Sequence, residues 1–175
     1  PISIKNDSFL LHCLDKIISG QRINLSEGLK LYNTQSLPAL CALANLIKKS
    51  RFGDSIFFND NLHVNTTNKC VLACRFCAFR KGPRNSEAYE LSVEEFIHKI
   101  VPFANNIDEI HSVGGLHPQW TVDHYSELYS KIKDTFPHIH VKSLTAVEIK
   151  HISTRSGISV LETLKILKKS GLNSI

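Results

Sequence analysis

The sequence has no methionine and one tryptophan, and it lacks any apolar run near the roughly 18 residues that span a bilayer. The N-terminus also lacks a basic stretch followed by a short hydrophobic one, so no secretory signal is predicted. The missing methionine indicates that the initiator is absent. These absences predict a cytoplasmic protein without a membrane span.

Extreme composition is absent as well. With 42% hydrophobic residues over 175 positions, the chain can build a core, which argues against disorder. Lysine and arginine number 21 against 16 acidic residues, a formal balance of +5. The basic residues are scattered among acidic ones, so no nucleic-acid partner is expected. The modest excess of positive charge suits an anionic small-molecule substrate.

The first 52 residues have apolar positions at helical spacing and predict an N-terminal helical segment of two or three helices. Breaks are predicted near Gly20, Gly28 and Pro38. From residue 53 onward, the β-branched and aromatic stretches 55–58 and 62–66 predict strands.

Strand and helix patterns then alternate, which predicts β/α units around a parallel sheet, either a barrel or an open doubly wound sheet. Predicted capping boxes begin two of the helices, Ser92 with Glu95 and Ser159 with Glu162. Loops after the strands' carboxyl ends usually carry the chemistry of such folds. The predicted elements are helix 92–101, strand 109–113, helix 122–136, strand 138–144, helices 147–155 and 159–169, and a strand opening at 172–175.

Five cysteines fall into two groups. Cys13 and Cys41 lie alone on apolar helical faces, where a cysteine is usually a small buried hydrophobe. Cys70, Cys74 and Cys77 form C-x3-C-x2-C directly after a predicted strand. In a reducing compartment, three close thiolates favour a metal over a disulfide.

Two kinds of metal site are compatible with this cysteine spacing. A structural zinc site needs a fourth ligand, and the nearest candidate, His63, fits zinc-finger spacing poorly. An iron–sulfur cluster held by three thiolates leaves one iron open to bind and activate a ligand. Phe76 and Phe79 are predicted to limit the solvent around the site. A non-catalytic metal-binding or electron-carrying module stays open as an alternative.

The C-x3-C-x-aromatic-C motif resembles that of the radical S-adenosylmethionine (radical SAM) superfamily. The resemblance implies the first half of a partial (β/α)6 barrel over residues 53–175. It also implies that Cys70, Cys74 and Cys77 hold a [4Fe-4S] cluster, whose fourth iron binds S-adenosylmethionine. By the same resemblance, the Phe76 backbone lies near the adenine of that cofactor.

A glycine pair follows the second predicted strand of the barrel. The resemblance implies that Gly114 and Gly115 receive the methionine amino group of S-adenosylmethionine, because glycine permits close backbone approach to a ligand.

The segments 65–68, 74–79, 114–118 and 144–149 extend the resemblance to the menaquinone-biosynthesis enzymes of the futalosine pathway. Two sister families share this pattern, the aminofutalosine synthases and the dehypoxanthine futalosine cyclases. The Thr-Ala-Val-Glu-Ile segment at 145–149 favours the synthases. Thr66 and Leu62 depart from the residues common in these families, proline and a basic residue.

The synthase resemblance implies a transferase that adds a 5′-deoxyadenosyl radical to the double bond of 3-[(1-carboxyvinyl)oxy]benzoate. Rearrangement and loss of the carboxyl group as bicarbonate then give 6-amino-6-deoxyfutalosine. Such an enzyme needs a reducing electron donor. Glu148 is a candidate for binding the cofactor ribose or the substrate, the alternative being an exposed glutamate in the first turn of a helix. His117 is a candidate carboxylate ligand or proton shuttle, the alternative being a histidine packed beside Pro118 and Trp120.

A six-unit barrel requires more strands than 175 residues supply. We therefore expect the N-terminal part of a longer enzyme, which alone is inactive or self-associates through an uncovered strand edge.

Overall fold

The computed structural model describes residues 7–82 and 84–175. Its contacts divide the chain into two compact units, with the boundary in the sequence between Phe57 and Phe58. Within the described residues, none of the helices is long and apolar enough to cross a membrane.

The first unit is helical. Its helices are α1 (Ser8–Ile18), α2 (Leu25–Tyr32) and α3 (Leu37–Phe52). The break at Gly20 is confirmed, since this residue has a φ of 75° just after α1. The predicted break at Gly28 is wrong, because Gly28 lies inside α2, where the capping of the first turn outweighs the low helix propensity of glycine. The fully or almost fully buried residues of this unit are Leu10, Cys13, Ala39 and Leu43.

The Glu27 carboxylate has three polar partners in the helical unit. Its carboxylate accepts hydrogen bonds from Lys16 Nζ at 2.7 Å and from the backbone N–H of Asn24 at 2.8 Å, and it contacts His12 Nε2 at 3.0 Å. The hydrogen bond from Lys16, followed by those from Asn24 and His12, lowers the pKa of Glu27 to about 2. The carboxylate thereby joins α1 to the start of α2.

The lowered pKa makes a prediction about acid stability. A carboxylate with a depressed folded pKa stabilises the fold above its unfolded value of 4.5, and this contribution is lost as the pH falls toward 2. In wild type, amide protection of α1 and α2 should therefore fall across this window, and Glu27→Gln should weaken the protection already at pH 7 and flatten its pH dependence. Hydrogen exchange measures both effects. Asp134→Asn, an exposed substitution on the second unit, is the control, and an unchanged acid profile in Glu27→Gln would contradict the prediction.

The second unit is built on a three-stranded parallel sheet in the order β1–β2–β3, as the β/α pattern predicted. The strands are β1 (Asn61–His63), β2 (Glu109–Ser112) and β3 (His140–Ser143). Parallel neighbours require crossover connections, and helices supply them. Helices α4 (Val93–Ile100) and α5 (Val122–Thr135) lie in these connections, together with a 3-10 helix at Val101–Asn106, and α6 (Ala146–Ser156) and α7 (Val160–Lys169) follow β3.

One face of the sheet is apolar and packs against the helices. Ile110 and Val141 belong to the buried core, and Leu62 packs against it. Because successive strand residues point to opposite faces, the positions that alternate with these three form the other face. The α4 capping box of Ser92 and Glu95 is formed as predicted. The helical side of the core includes Phe96, Tyr129, Ile132, Ile152 and Leu167.

Several local predictions were wrong. Residues 55–58 form no strand, and their aromatic side chains Phe57 and Phe58 are exposed. Toward residue 175 the predicted strand is reduced to one bridge, from Ser174 to Lys142. Cys13 is buried as expected, whereas Cys41 is exposed. The Ser159 hydroxyl accepts from the Glu162 N–H, but the return bond of a capping box is not formed.

Candidate functional site

The segment after β1 is anchored by buried polar side chains before it reaches the cysteines. The Thr67 hydroxyl donates to the Tyr89 carbonyl at 2.6 Å and accepts from the Lys69 N–H at 3.0 Å. The Asn68 side chain donates to the Glu87 carbonyl at 3.0 Å and accepts from the Tyr89 N–H at 2.7 Å. Because these polar groups are satisfied by backbone partners, the chain enters the cysteine segment at a defined position.

Cys70, Cys74 and Cys77 lie in one loop, and all three are free thiols. Cys74 is exposed, and the other two are half-buried. The Cys77 N–H donates to the Cys74 carbonyl at 3.2 Å, which forms a tight turn between these ligand candidates. Within residues 7–82 and 84–175, no three thiols, imidazoles or carboxylates are close enough to hold a metal ion, and this holds for the three cysteines themselves as well as for the cysteines with His63.

The aromatic residues between the cysteines do not enclose the loop. The Phe76 side chain is 93% exposed, and Phe79 is also exposed, with its edge against the Tyr89 ring. The prediction that they limit solvent access is wrong for this chain, because Phe76 sits at the turn of the loop, away from the apolar core. Its ring is therefore available to a ligand placed over the loop.

The glycine pair after β2 packs against the entry of the cysteine loop. The Gly115 N–H donates to the Thr67 carbonyl at 2.8 Å. A side-chain carbon at Gly115 would overlap the Lys69 carbonyl and lie 3.1 Å from Cys70 Cβ, and one at Gly114 would lie 2.9 Å from Thr66 Oγ1. The structure thus brings the predicted glycine pair beside the first predicted cluster ligand, and only glycine permits this approach.

Glu148 lies next to this pair and is buried, so the alternative of an exposed first-turn glutamate is wrong. Oε1 accepts from the Gly114 N–H at 2.8 Å. Oε2 accepts from the Thr145 N–H and hydroxyl, each at 2.7 Å. Burial raises the pKa of Glu148, and the hydrogen bonds from Gly114 and Thr145 oppose that rise. The side chain therefore fixes the glycine loop to the start of α6.

His117 is packed rather than open to a ligand. Its ring stacks on Trp120 with centroids 4.3 Å apart, and Nδ1 accepts from the N–H groups of Gln119 and Trp120. Nε2 therefore carries the proton and donates to Glu90 at 2.6 Å. Burial lowers the pKa of His117. Glu90 also pairs with Lys69 Nζ at 2.9 Å, and the hydrogen bond from Lys69 is the main reason that the pKa of Glu90 is lowered.

Glu90 and its link between Lys69 and His117 were not predicted from the sequence. Nothing local marks it, since 27 residues separate Glu90 from His117. The capping box of Thr145 and Glu148 was also missed, although its Thr-x-x-Glu spacing is a recognisable signal.

The contacts of Gly115 generate a prediction. Gly115→Ala should lower the free energy of unfolding by about 1–3 kcal/mol, the usual cost of overpacking, because backbone must move to admit the methyl group. It should also displace the entry of the cysteine loop and reduce iron uptake. Chemical denaturation and iron analysis measure the two effects.

Gly28→Ala is the matched control for this substitution. A side-chain carbon there meets nothing within 4 Å. Since glycine is unfavourable inside a helix, the control should gain about 0.5–1 kcal/mol and keep normal iron uptake. Wild-type stability and iron content in Gly115→Ala would contradict the close-packing argument.

Comparison with known proteins places this geometry in a family context. The family model of the radical SAM superfamily matches residues 64–175. The aminodeoxyfutalosine synthase of Thermus thermophilus is 34% identical over 97% of this chain and 46% of its own length. The cyclic dehypoxanthine futalosine synthase of Halalkalibacterium halodurans is 35% identical over 93% of this chain and 44% of its own length. The chain thus spans less than half of these curated relatives.

A third kind of relative is a 5-amino-6-(D-ribitylamino)uracil–L-tyrosine 4-hydroxyphenyl transferase of Methanoculleus marisnigri, 30% identical over 95% of this chain and 46% of its own length. Among solved structures, HydG, a maturase of the [FeFe]-hydrogenase, has a TM-score of 0.71 at 20% identity. The match spans 97% of this chain and 37% of the HydG chain. Methylornithine synthase has a TM-score of 0.60 at 16% identity, with 91% of this chain and 56% of that chain covered. These structural likenesses support the partial (β/α) barrel fold.

Proposed function

The chain belongs to the radical SAM superfamily, and we propose that it acts in the futalosine pathway to menaquinone as an aminodeoxyfutalosine synthase. The single observation that carries the proposal is the cysteine loop packed against the glycine pair after β2. Enzymes of this superfamily use a [4Fe-4S] cluster and S-adenosylmethionine. The synthases and the cyclases have nearly equal identity to this chain, so the choice between them rests on the 145–149 segment.

The chemistry of the side chains in this loop supports these cofactors. Cys70, Cys74 and Cys77 are free thiols in one exposed loop, the donor type that iron–sulfur clusters require. We propose them as the cluster ligands. Gly114 and Gly115 lie beside the entry of that loop, and we propose that their backbone carbonyls receive the amino group of S-adenosylmethionine.

The chemistry that the bound cofactors supply is reductive formation of a 5′-deoxyadenosyl radical, for which an external electron donor is required. The residues of this chain have the task of positioning the loops around the proposed cofactor site. Glu148 holds the Gly114 N–H, and Lys69 and His117 both bind Glu90, so the loops on either side of the site are tied together. For the synthase reaction, we propose 3-[(1-carboxyvinyl)oxy]benzoate as the substrate and 6-amino-6-deoxyfutalosine as the product.

The cluster assignment predicts that one cysteine substitution abolishes cluster binding. After anaerobic reconstitution with iron and sulfide, wild type should show the absorption and reduced-state EPR spectrum of a [4Fe-4S] cluster, with an EPR signal that changes on addition of S-adenosylmethionine. Cys74→Ala should lose nearly all of this signal, because three thiolates are the minimum set. Cys41→Ala, an exposed cysteine of the helical unit, is the control. Equal cluster content in Cys74→Ala and wild type would contradict the assignment.

The substrate assignment is tested by product analysis. The cluster-loaded protein is supplied with S-adenosylmethionine, a reductant and, in separate reactions, the substrates of the synthase, the cyclase and the hydroxyphenyl transferase. We expect 6-amino-6-deoxyfutalosine by mass spectrometry from 3-[(1-carboxyvinyl)oxy]benzoate alone. Product from the dehypoxanthine futalosine reaction instead would assign the chain to the sister cyclases.

A further inference from the structure

Three positively chargeable side chains form one row across the parallel sheet. His63 of β1 is in register with His111 of β2, and His111 is in register with Lys142 of β3. We call His63, His111 and Lys142 the cationic row. Since neighbouring strands lie about 4.8 Å apart, the row extends over roughly 10 Å.

The cationic row projects from the face of the sheet opposite the helices. Each member alternates with a residue that packs in or against the apolar core, namely Leu62, Ile110 and Val141. His63 is exposed, and the other two are half-buried. The imidazoles of His63 and His111 stack with centroids 5.2 Å apart and planes 14° apart, so both rings present edge nitrogens along the same face.

Among the described residues, no acidic side chain forms an ion pair with the row, since the ion pairs found there involve other side chains. Glu109 on this face belongs to the preceding row, in register with Asn61 and His140. Two residues along a strand correspond to about 6.6 Å, so Glu109 lies toward the strands' amino ends. The side toward the carboxyl ends, where the glycine pair and cysteine loop begin, carries the positive row.

We propose that the cationic row is a carboxylate-binding site for a small dicarboxylate, with one carboxylate against Lys142 and the other against the histidines. This inference rests on the proposed function, because the proposed substrate carries two carboxylates. A lysine ammonium offers three donors, and a histidine offers a ring N–H even when neutral. Donors at both ends of a row about 10 Å long recognise two separated anions better than one. The row thus selects a dianion and orients it on the open face of the sheet.

Isothermal titration calorimetry on the full chain tests the row without turnover. The probes are 3-[(1-carboxyvinyl)oxy]benzoate and isophthalate as dianions and benzoate as a monoanion. Wild type should bind the dianions more tightly than benzoate, and added salt should weaken this preference. Lys142→Gln and His111→Gln should each weaken dianion binding about tenfold or more, the loss typical of one hydrogen bond to a charged group.

Lys165→Gln, which removes one exposed charge from α7, is the matched control and should bind as wild type does. Circular dichroism shows whether each variant is folded. The proposed carboxylate-binding site would be overturned by either of two results. One is a wild-type affinity for the dianions in folded Lys142→Gln and His111→Gln, and the other is equal binding of dianions and benzoate by wild type. The proposed function can fail separately. If dianion binding depends on the row but the cluster-loaded protein forms no 6-amino-6-deoxyfutalosine, the carboxylate-binding site is supported and the synthase reaction is rejected.

Discussion

The close approach of two backbone segments is the constraint on which the site depends. The glycine pair after β2 lies against the segment that leaves β1, and the Gly115 N–H reaches the Thr67 carbonyl at 2.8 Å. A side chain at Gly115 would push the Lys69 backbone away and move Cys70 with it. The position of Cys70 therefore depends on the lack of a side chain at Gly115, in the loop after β2.

Three buried polar side chains, Thr67, Asn68 and Glu148, and the exposed Glu90 hold this approach in place. Asn68 and Thr67 bind backbone groups of the 87–89 segment, Glu148 binds the Gly114 N–H, and Glu90 accepts from both Lys69 and His117. Removing a partner of Thr67, Asn68 or Glu148 leaves a buried group unsatisfied, at a cost of about 1–3 kcal/mol. These hydrogen bonds tie the loops at the carboxyl ends of the strands to one another.

The sequence predicted what depends on short-range patterns. Capping of α4, the apolar periodicity of α5 and the alternation of strand and helix were sufficient for the parallel β/α arrangement. The cysteine spacing and the glycine pair identified the segments of the site for the same reason. Glu148 and Glu90 could not be assigned in this way, because their partners lie 34 and 27 residues away and are set by the packing of the sheet. The exposure of Phe57, Phe58 and Phe76 was also unpredictable, since periodicity identifies an apolar residue but not the surface that covers it.

The cysteine loop combines fixed ends with a free middle. The Cys70 N–H donates to the Lys81 carbonyl at 3.2 Å, the Lys81 N–H donates to the Asn68 carbonyl at 2.8 Å, and the Val71 N–H donates to the Leu116 carbonyl at 3.0 Å. Between these anchors, Cys74 and Phe76 are exposed. For the proposed cluster, this arrangement would fix the first thiol through its backbone and leave the exposed Cys74 to adopt the geometry that the cluster imposes. Metal binding would then stabilise the loop, because the free energy of coordination would offset the entropy lost on ordering its middle.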